Sequence, residues 1–233
     1  MNITIDVETA ETFLKKAIAM SKSTPTEVLE YLSNSDIPSI RKAVAKNPNT
    51  SKAVLEKLSK DPILDVQLGV ASNENTSKSA LNHLADSSEV TIRSKVASNK
   101  NASPSTLAKL SRNNINFILI NVASNINTPS STLKKLSKNC WEICILVPIA
   151  ENPNTKPDVL LELSKNIFFQ VRRAVAKNQN TLEITLNDLA DDEDFRVRLE
   201  VANNPKTPKD IIIYLSKDNN YNVQEAALKR LLK

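Results

Sequence analysis

Residues 43–61 read AVAKNPNTSKAVLEKLSKD, and close copies return at 69–86 as GVASNENTSKSALNHLAD, at 121–139 as NVASNINTPSSTLKKLSKN and at 174–191 as AVAKNQNTLEITLNDLAD. Self-similarity at a fixed period marks a repeat array, in which one small unit is stacked many times. Anchored on the Asn that follows Val-Ala-x, or Ile-Ala-x in one copy, the units fall at Asn47, Asn73, Asn99, Asn125, Asn152, Asn178 and Asn204, at intervals of 26 residues with one of 27.

Two residues before each anchor stands Ala: Ala45, Ala71, Ala97, Ala123, Ala150, Ala176 and Ala202. Eight residues after it come Leu55, Leu81, Leu107, Leu133, Leu160, Leu186 and Ile212, and three further on Leu58, Leu84, Leu110, Leu136, Leu163, Leu189 and Leu215. The i, i+3 spacing is helical. Each period therefore predicts two short helices, A (near 63–72 in one unit) and B (near 51–60), joined by tight turns with no room for a strand. An Ala held in every unit implies close helix approach, since a larger side chain forces helices beyond the usual spacing of about 8–10 Å. A two-helix unit cannot bury its own apolar face and has to stack on its neighbours. The expected fold is all-α, an α-solenoid of about eight two-helix repeats without a β-sheet. One repeat domain spans 1–233: a capping region and degenerate first repeat over 1–36, regular repeats over 37–218, and a C-terminal capping helix over 219–233.

The turns explain the Asn and Thr rows as structure rather than as ligand contacts. Helix A has to end sharply, and Asn is the residue other than Gly that best tolerates a left-handed helix end. Pro48, Pro153 and Pro205 follow directly and cannot continue a helix. Thr50, Thr76, Thr128, Thr155, Thr181 and Thr207 stand where helix B needs an N-cap oxygen. Pro129 and Pro208 then take the first helical position, and Thr24–Glu27 has the spacing of a capping box.

Composition agrees. The 40% apolar and 24% charged content supports a substantial core, and a single Gly disfavours phosphate-cradling loops. The N-terminus carries early Asp and Glu and lacks the form of a secretory signal, while no apolar run approaches the roughly 18 residues of a membrane span. Cys140 and Cys144 make no disulfide framework, which fits a reducing compartment and a cytoplasmic protein.

The run Val-Arg-x-x-Val-Ala-x-Asn-Pro-x-Thr-Pro-x-x-x-Leu-x-x-Leu-Ala-x-Asp belongs to the variant leucine-rich repeat proteins, and this chain resembles it at Arg41–Thr50 and Val171–Thr181. The resemblance covers roughly residues 17 to 228. It implies a right-handed superhelix of paired short helices, similar to armadillo and HEAT arrays, serving as a binding scaffold. The period of 26 is slightly longer than the resemblance suggests. The N-terminal Cys cluster that holds an iron–sulfur centre in one member is absent, so no cofactor is implied.

Catalytic chemistry has little to work with. His83 is the only His, no zinc spacing surrounds it, and it completes no Ser/His/Asp or Cys/His arrangement. Cys140 and Cys144, at i and i+4, can face one way on helix A but do not make a tetrahedral site. The expectation is a non-enzymatic protein with no cofactor or metal. The array departs from its own pattern six residues before the anchor, where Arg41, Gln67 and Arg93 give way to Leu119 and Leu146 before Arg172, Arg198 and Gln224. Three readings of this stay open. Leu119 and Leu146, with Phe117, Trp141 and Phe168 and flanked by Arg93 and Arg172, form an exposed patch for a protein or peptide partner; or the middle of the array is simply core; or it makes a homodimer contact. Residues 37–139 carry 15 Lys/Arg against 6 Asp/Glu, a net of +9, so Arg41, Lys42, Lys46, Arg93, Lys95 and Lys100 offer nucleic-acid binding as the alternative.

Overall fold

A computed structural model describes residues 7–232. The described residues fold into seventeen α-helices with no strand among them. They form two compact units, one ending at Asn113 and the other beginning at Asn114. The first unit holds α1 (Val7–Met20), α2 (Thr26–Leu32), α3 (Pro38–Lys46), α4 (Lys52–Leu58), α5 (Leu64–Ser72), α6 (Lys78–Leu84), α7 (Val90–Ser98) and α8 (Pro104–Leu110). The second holds α9 (Asn116–Ser124), α10 (Ser130–Asn139), α11 (Ile143–Glu151), α12 (Pro157–Leu163), α13 (Phe169–Lys177), α14 (Glu183–Ala190), α15 (Phe195–Asn203), α16 (Lys209–Leu215) and α17 (Tyr221–Leu231).

Odd-numbered helices are type A and even-numbered ones type B. Each A helix packs on the next A helix of its unit: α1 on α3, α3 on α5 and α5 on α7, then α9 on α11, α11 on α13, α13 on α15 and α15 on α17. The seams are built from the Val-Ala pair; Val44, Ala45, Val70, Ala71, Val96 and Ala97 are fully buried, as are Leu55, Leu81 and Leu107 of the B helices. The only glycine measures how close the approach is. A Cβ on Gly69 meets the Cβ of Ala45 at 2.9 Å, so α3 and α5 touch where neither tolerates another carbon. The interval of 27 residues is absorbed in α10, which runs three residues longer than most B helices and ends on Cys140 in an extended conformation. α11 continues through Pro148.

The Asn anchors do not adopt the left-handed conformation expected of them. All seven lie in the extended region, with φ from −67° to −80° and ψ from 125° to 129°, and no described residue has a positive φ. What holds Asn there is its amide. Asn73 Nδ2 donates to the carbonyls of Ala45 and Asn47 in the preceding repeat, both at 2.8 Å, while its Oδ1 accepts the amide N–H of Asn75 at 2.8 Å. Asn47, Asn99, Asn152, Asn178 and Asn204 repeat the same two donations at 2.6–3.1 Å. Oδ1 of Asn125 likewise accepts from Asn127. These carbonyls end one helix and are orphans by geometry; the next repeat's Asn satisfies them. The residue 26 positions after Asn204 is Arg230, whose Nη1 reaches the matching carbonyls of Ala202 and Asn204 at 2.9 and 2.5 Å.

The Thr row also works in the opposite direction to the expected N-cap. Thr50, Thr76, Thr155, Thr181 and Thr207 each donate the hydroxyl backwards to the Val or Ile carbonyl six residues before, at 2.5–2.6 Å, closing helix A rather than opening helix B. Thr24 and Thr128 do the same. The N-cap lies one residue later, where the hydroxyls of Ser51, Ser77 and Ser103 accept from the third residue on. Pro25, Pro129 and Pro208 consequently occupy N-caps without side-chain bonds, and no capping box forms at Thr24.

Candidate functional site

The row six residues before the anchor points inward. Leu119 is 6% exposed, Leu146 2% and Arg172 9%, so the expected patch is not assembled from them: both leucines are core, and Arg172 is not a free cation. The structure gives the reason. Arg41 grips Asp61 through Nε and Nη2 at 2.6 and 3.1 Å, while its Nη1 holds the Ser35 and Asp36 carbonyls. Arg172 with Asp192 and Arg198 with Asp218 repeat this arrangement, each Asp lying 20 residues after its Arg. Burial pushes the Asp61 and Asp218 carboxyls up, but the Arg fork and a backbone N–H more than reverse it, holding both below the usual carboxylate range.

Where the pattern breaks, both partners change. The residue aligned with Asp in the repeat after Leu119 is Cys140, itself buried, and in the repeat after Leu146 it is Asn166. Replacing a buried ion pair by apolar groups, as with Leu119 and Cys140, is tolerated, and Leu146 opposite the uncharged Asn166 likewise strands no charge, whereas removing one half of a pair does. Arg93 is the exception. Its Nη1 bonds the Ser87 and Ser88 carbonyls, but the aligned residue is Asn113, and Nε is buried with no partner. The Arg-to-Asp spacing was present in the sequence and is the signal that the reading of this row as a surface missed. Cys140 and Cys144 do not share a helix face either: Cys140 ends α10 and Cys144 is exposed on α11. Burial, with the Glu142 carboxylate nearby, raises the Cys140 thiol.

The apolar surface of the second unit lies beside that row. Phe117, 60% exposed, and half-buried Ile120 share one face of α9 at i and i+3. The aligned residues on α11, exposed Cys144 and half-buried Val147, continue the stripe. On α13 and α15 the same positions become Gln170 and Arg173, then Arg196 and Leu199. Arg196 stacks over the Phe169 ring at 3.6 Å from its centroid. Trp141 and Ile167, aligned just before α11 and α13, are 81% and 84% exposed, and Phe168 beside Ile167 is partly exposed.

In the first unit the equivalent face reads Phe13 and Lys16 on α1, Ser39 and Lys42 on α3, and Asp65 and Leu68 on α5. It opens into a cleft of about 530 Å³. The basic residues proposed for nucleic acid are largely engaged: Arg41 with Asp61, Lys42 with Asp65, Lys100 with Glu74, and Arg93 with backbone carbonyls. His83 is exposed on α6. Among the described residues, no group of three or more His, Cys, Asp or Glu is arranged to hold a metal ion, and no helix is long and apolar enough to cross a membrane.

No protein-family model matches the sequence, and no curated protein matches it. One solved structure, a leucine-rich repeat variant with a novel repetitive protein structural motif, aligns over 98% of this chain and 88% of its own at 17% identity, with a TM-score of 0.61. The fold resembles that of a leucine-rich repeat variant. At that identity the likeness speaks for architecture alone, and it agrees with the α-solenoid of paired helices described above. A designed armadillo repeat protein in complex with the peptide (KR)4 aligns over 99% of this chain and 95% of its own at 14% identity, but its TM-score of 0.26 carries no weight.

Proposed function

We propose that this solenoid is a non-enzymatic scaffold that binds a protein or peptide through the A-helix face of its second unit. The observation that carries the reading is the stripe of exposed Phe117 and Cys144 with half-buried Ile120 and Val147, aligned on the neighbouring A helices α9 and α11. Stacking requires the Val, Ala and Leu rows to be apolar; it places no such demand on the row of Phe117 and Cys144, where the aligned residues of other repeats are Phe13, Ser39, Asp65, Thr91, Gln170 and Arg196. Apolar side chains gathered at positions the fold does not use mark an interaction surface, and an aromatic anchor such as Phe117 or Trp141 suits the centre of one.

The test compares wild type with a Phe117→Glu, Cys144→Glu variant, both residues being exposed so that helicity by circular dichroism is retained. Proteins captured from lysate by the wild type are lost with the variant, and light scattering reports whether the lost partner is a second copy of the chain. Identical capture by both chains refutes the stripe as the binding face.

A further inference from the structure

The cleft of the first unit is chemically unlike the apolar stripe of the second, and we infer that it takes an acidic peptide segment carrying apolar residues between its carboxylates. The inference deepens the scaffold reading, on which it rests, by naming a partner's chemistry at a separate place. Lys16, Lys22, Lys42 and Lys46 line the cleft, and Asp65 is the only acidic residue among its lining. Lys42 pairs with Asp65 at 2.6 Å, but that carboxylate is 62% exposed and readily exchanged for another. Lys16, Lys22 and Lys46 make no ion pair among the described residues. Between the lysines the surface is apolar: Met20, 63% exposed, and Ile63, 38% exposed, together with Pro48.

The array does not hold the positions of Lys42 and Lys46 basic: Lys42 aligns with Leu68, Ser94, Ile120, Val147 and Leu199, Lys46 aligns with Ser72, Ser98, Ser124, Glu151 and Asn203, and a basic pair recurs only on α13, as Arg173 and Lys177. Two like charges at i and i+4 on α3 repel by a few tenths of a kcal/mol in an isolated helix, which offsets part of what Lys46 gains from its place in the last turn; Lys42 has no such local reason. Their spacing selects the ligand. Lys42 and Lys46 are one turn apart, about 6 Å along the axis, and Lys16 stands at the register of Lys42 on the neighbouring helix, about 8–10 Å away. One carboxylate cannot serve all three, whereas a chain with several can. The volume is that of a ligand site. The apolar floor favours a peptide over a nucleic acid, since no aromatic ring in the cleft offers a base a stacking surface.

The experiment uses fluorescence anisotropy with the full chain, a labelled synthetic peptide alternating Glu and Leu, the same peptide with Lys for Glu, and a labelled single-stranded oligonucleotide. The acidic peptide binds, with affinity falling as salt rises; the basic peptide does not, and the oligonucleotide binds more weakly. Lys42→Glu with Lys46→Glu weakens the acidic peptide roughly tenfold or more, and Lys42→Gln with Lys46→Gln has an intermediate effect; circular dichroism confirms that both stay helical. The Phe117→Glu, Cys144→Glu chain binds the acidic peptide as wild type does. Affinity unchanged in the charge-reversed chain, equal binding of the basic peptide, or tighter binding of the oligonucleotide overturns the inference. Should the wild type capture partners through the second unit yet ignore the acidic peptide, this inference falls and the scaffold reading stands.

Discussion

Replacing Asn73 separates two accounts of why Asn stands at every repeat junction. If Asn were needed for a left-handed turn, Asn73→Gly would be harmless. The structure expects otherwise, because Asn73 has a φ of −80° that any residue adopts, and its buried amide makes three hydrogen bonds. At about 1 kcal/mol net for each, truncation costs about 3 kcal/mol, and the Ala45 carbonyl is left without the donor that satisfies it. Asn47 O suffers less, since the Thr50 amide also reaches it at 3.1 Å. Asn73→Ala and Asn73→Gly are therefore expected to be destabilised alike, by about 2–4 kcal/mol. Asn73→Asp is isosteric but turns two donors into a charged acceptor facing two carbonyl oxygens, so at neutral pH it is expected to be the worst of the three. Urea denaturation followed by circular dichroism measures all of them. An Asn73→Gly chain within about 0.5 kcal/mol of wild type, the range of an ordinary surface change, refutes the hydrogen-bond account and restores the turn.

Two further outcomes follow from the buried Arg–Asp pairs. Asp61 and Asp218 have folded-state values below the ordinary carboxylate range. The stability they contribute is thus present above about pH 4 and lost as pH falls through the depressed values; thermal melts across that range show an acid limb that is shallower in an Asp61→Asn, Arg41→Gln chain. Asn113→Asp restores the carboxylate that Arg93 lacks and is expected to stabilise the first unit by about 1–2 kcal/mol in urea. No gain there means that the Arg93 fork is not short of a partner.

Much of the architecture was legible because it is written many times over. A single Val-Ala or Leu-x-x-Leu is ambiguous, but repeated in register it specifies two helices per period, apolar faces that have to stack, and the absence of a sheet. The junction rows were legible as structure too, though by the wrong mechanism. Asn and Thr were read against their own helix ends, where local propensity applies, whereas Asn73 acts on carbonyls 26 and 28 residues before it and Thr76 on one six residues before.

The sequence by itself determined the repeat, the helix content and the rows that vary. Tertiary structure alone decided which varying rows face inward. Leu119 and Phe117 are two residues apart on one helix and so point to opposite sides of it; helical periodicity does not fix which side is inward, and packing makes Leu119 core and leaves Phe117 exposed. It also decided which charges are free: Arg172 and Lys46 look alike as letters, but one faces a carboxylate 20 residues on and the other lines an open cleft. Pairing is a property of distance in space, and stacking the repeats is what brings those residues to it.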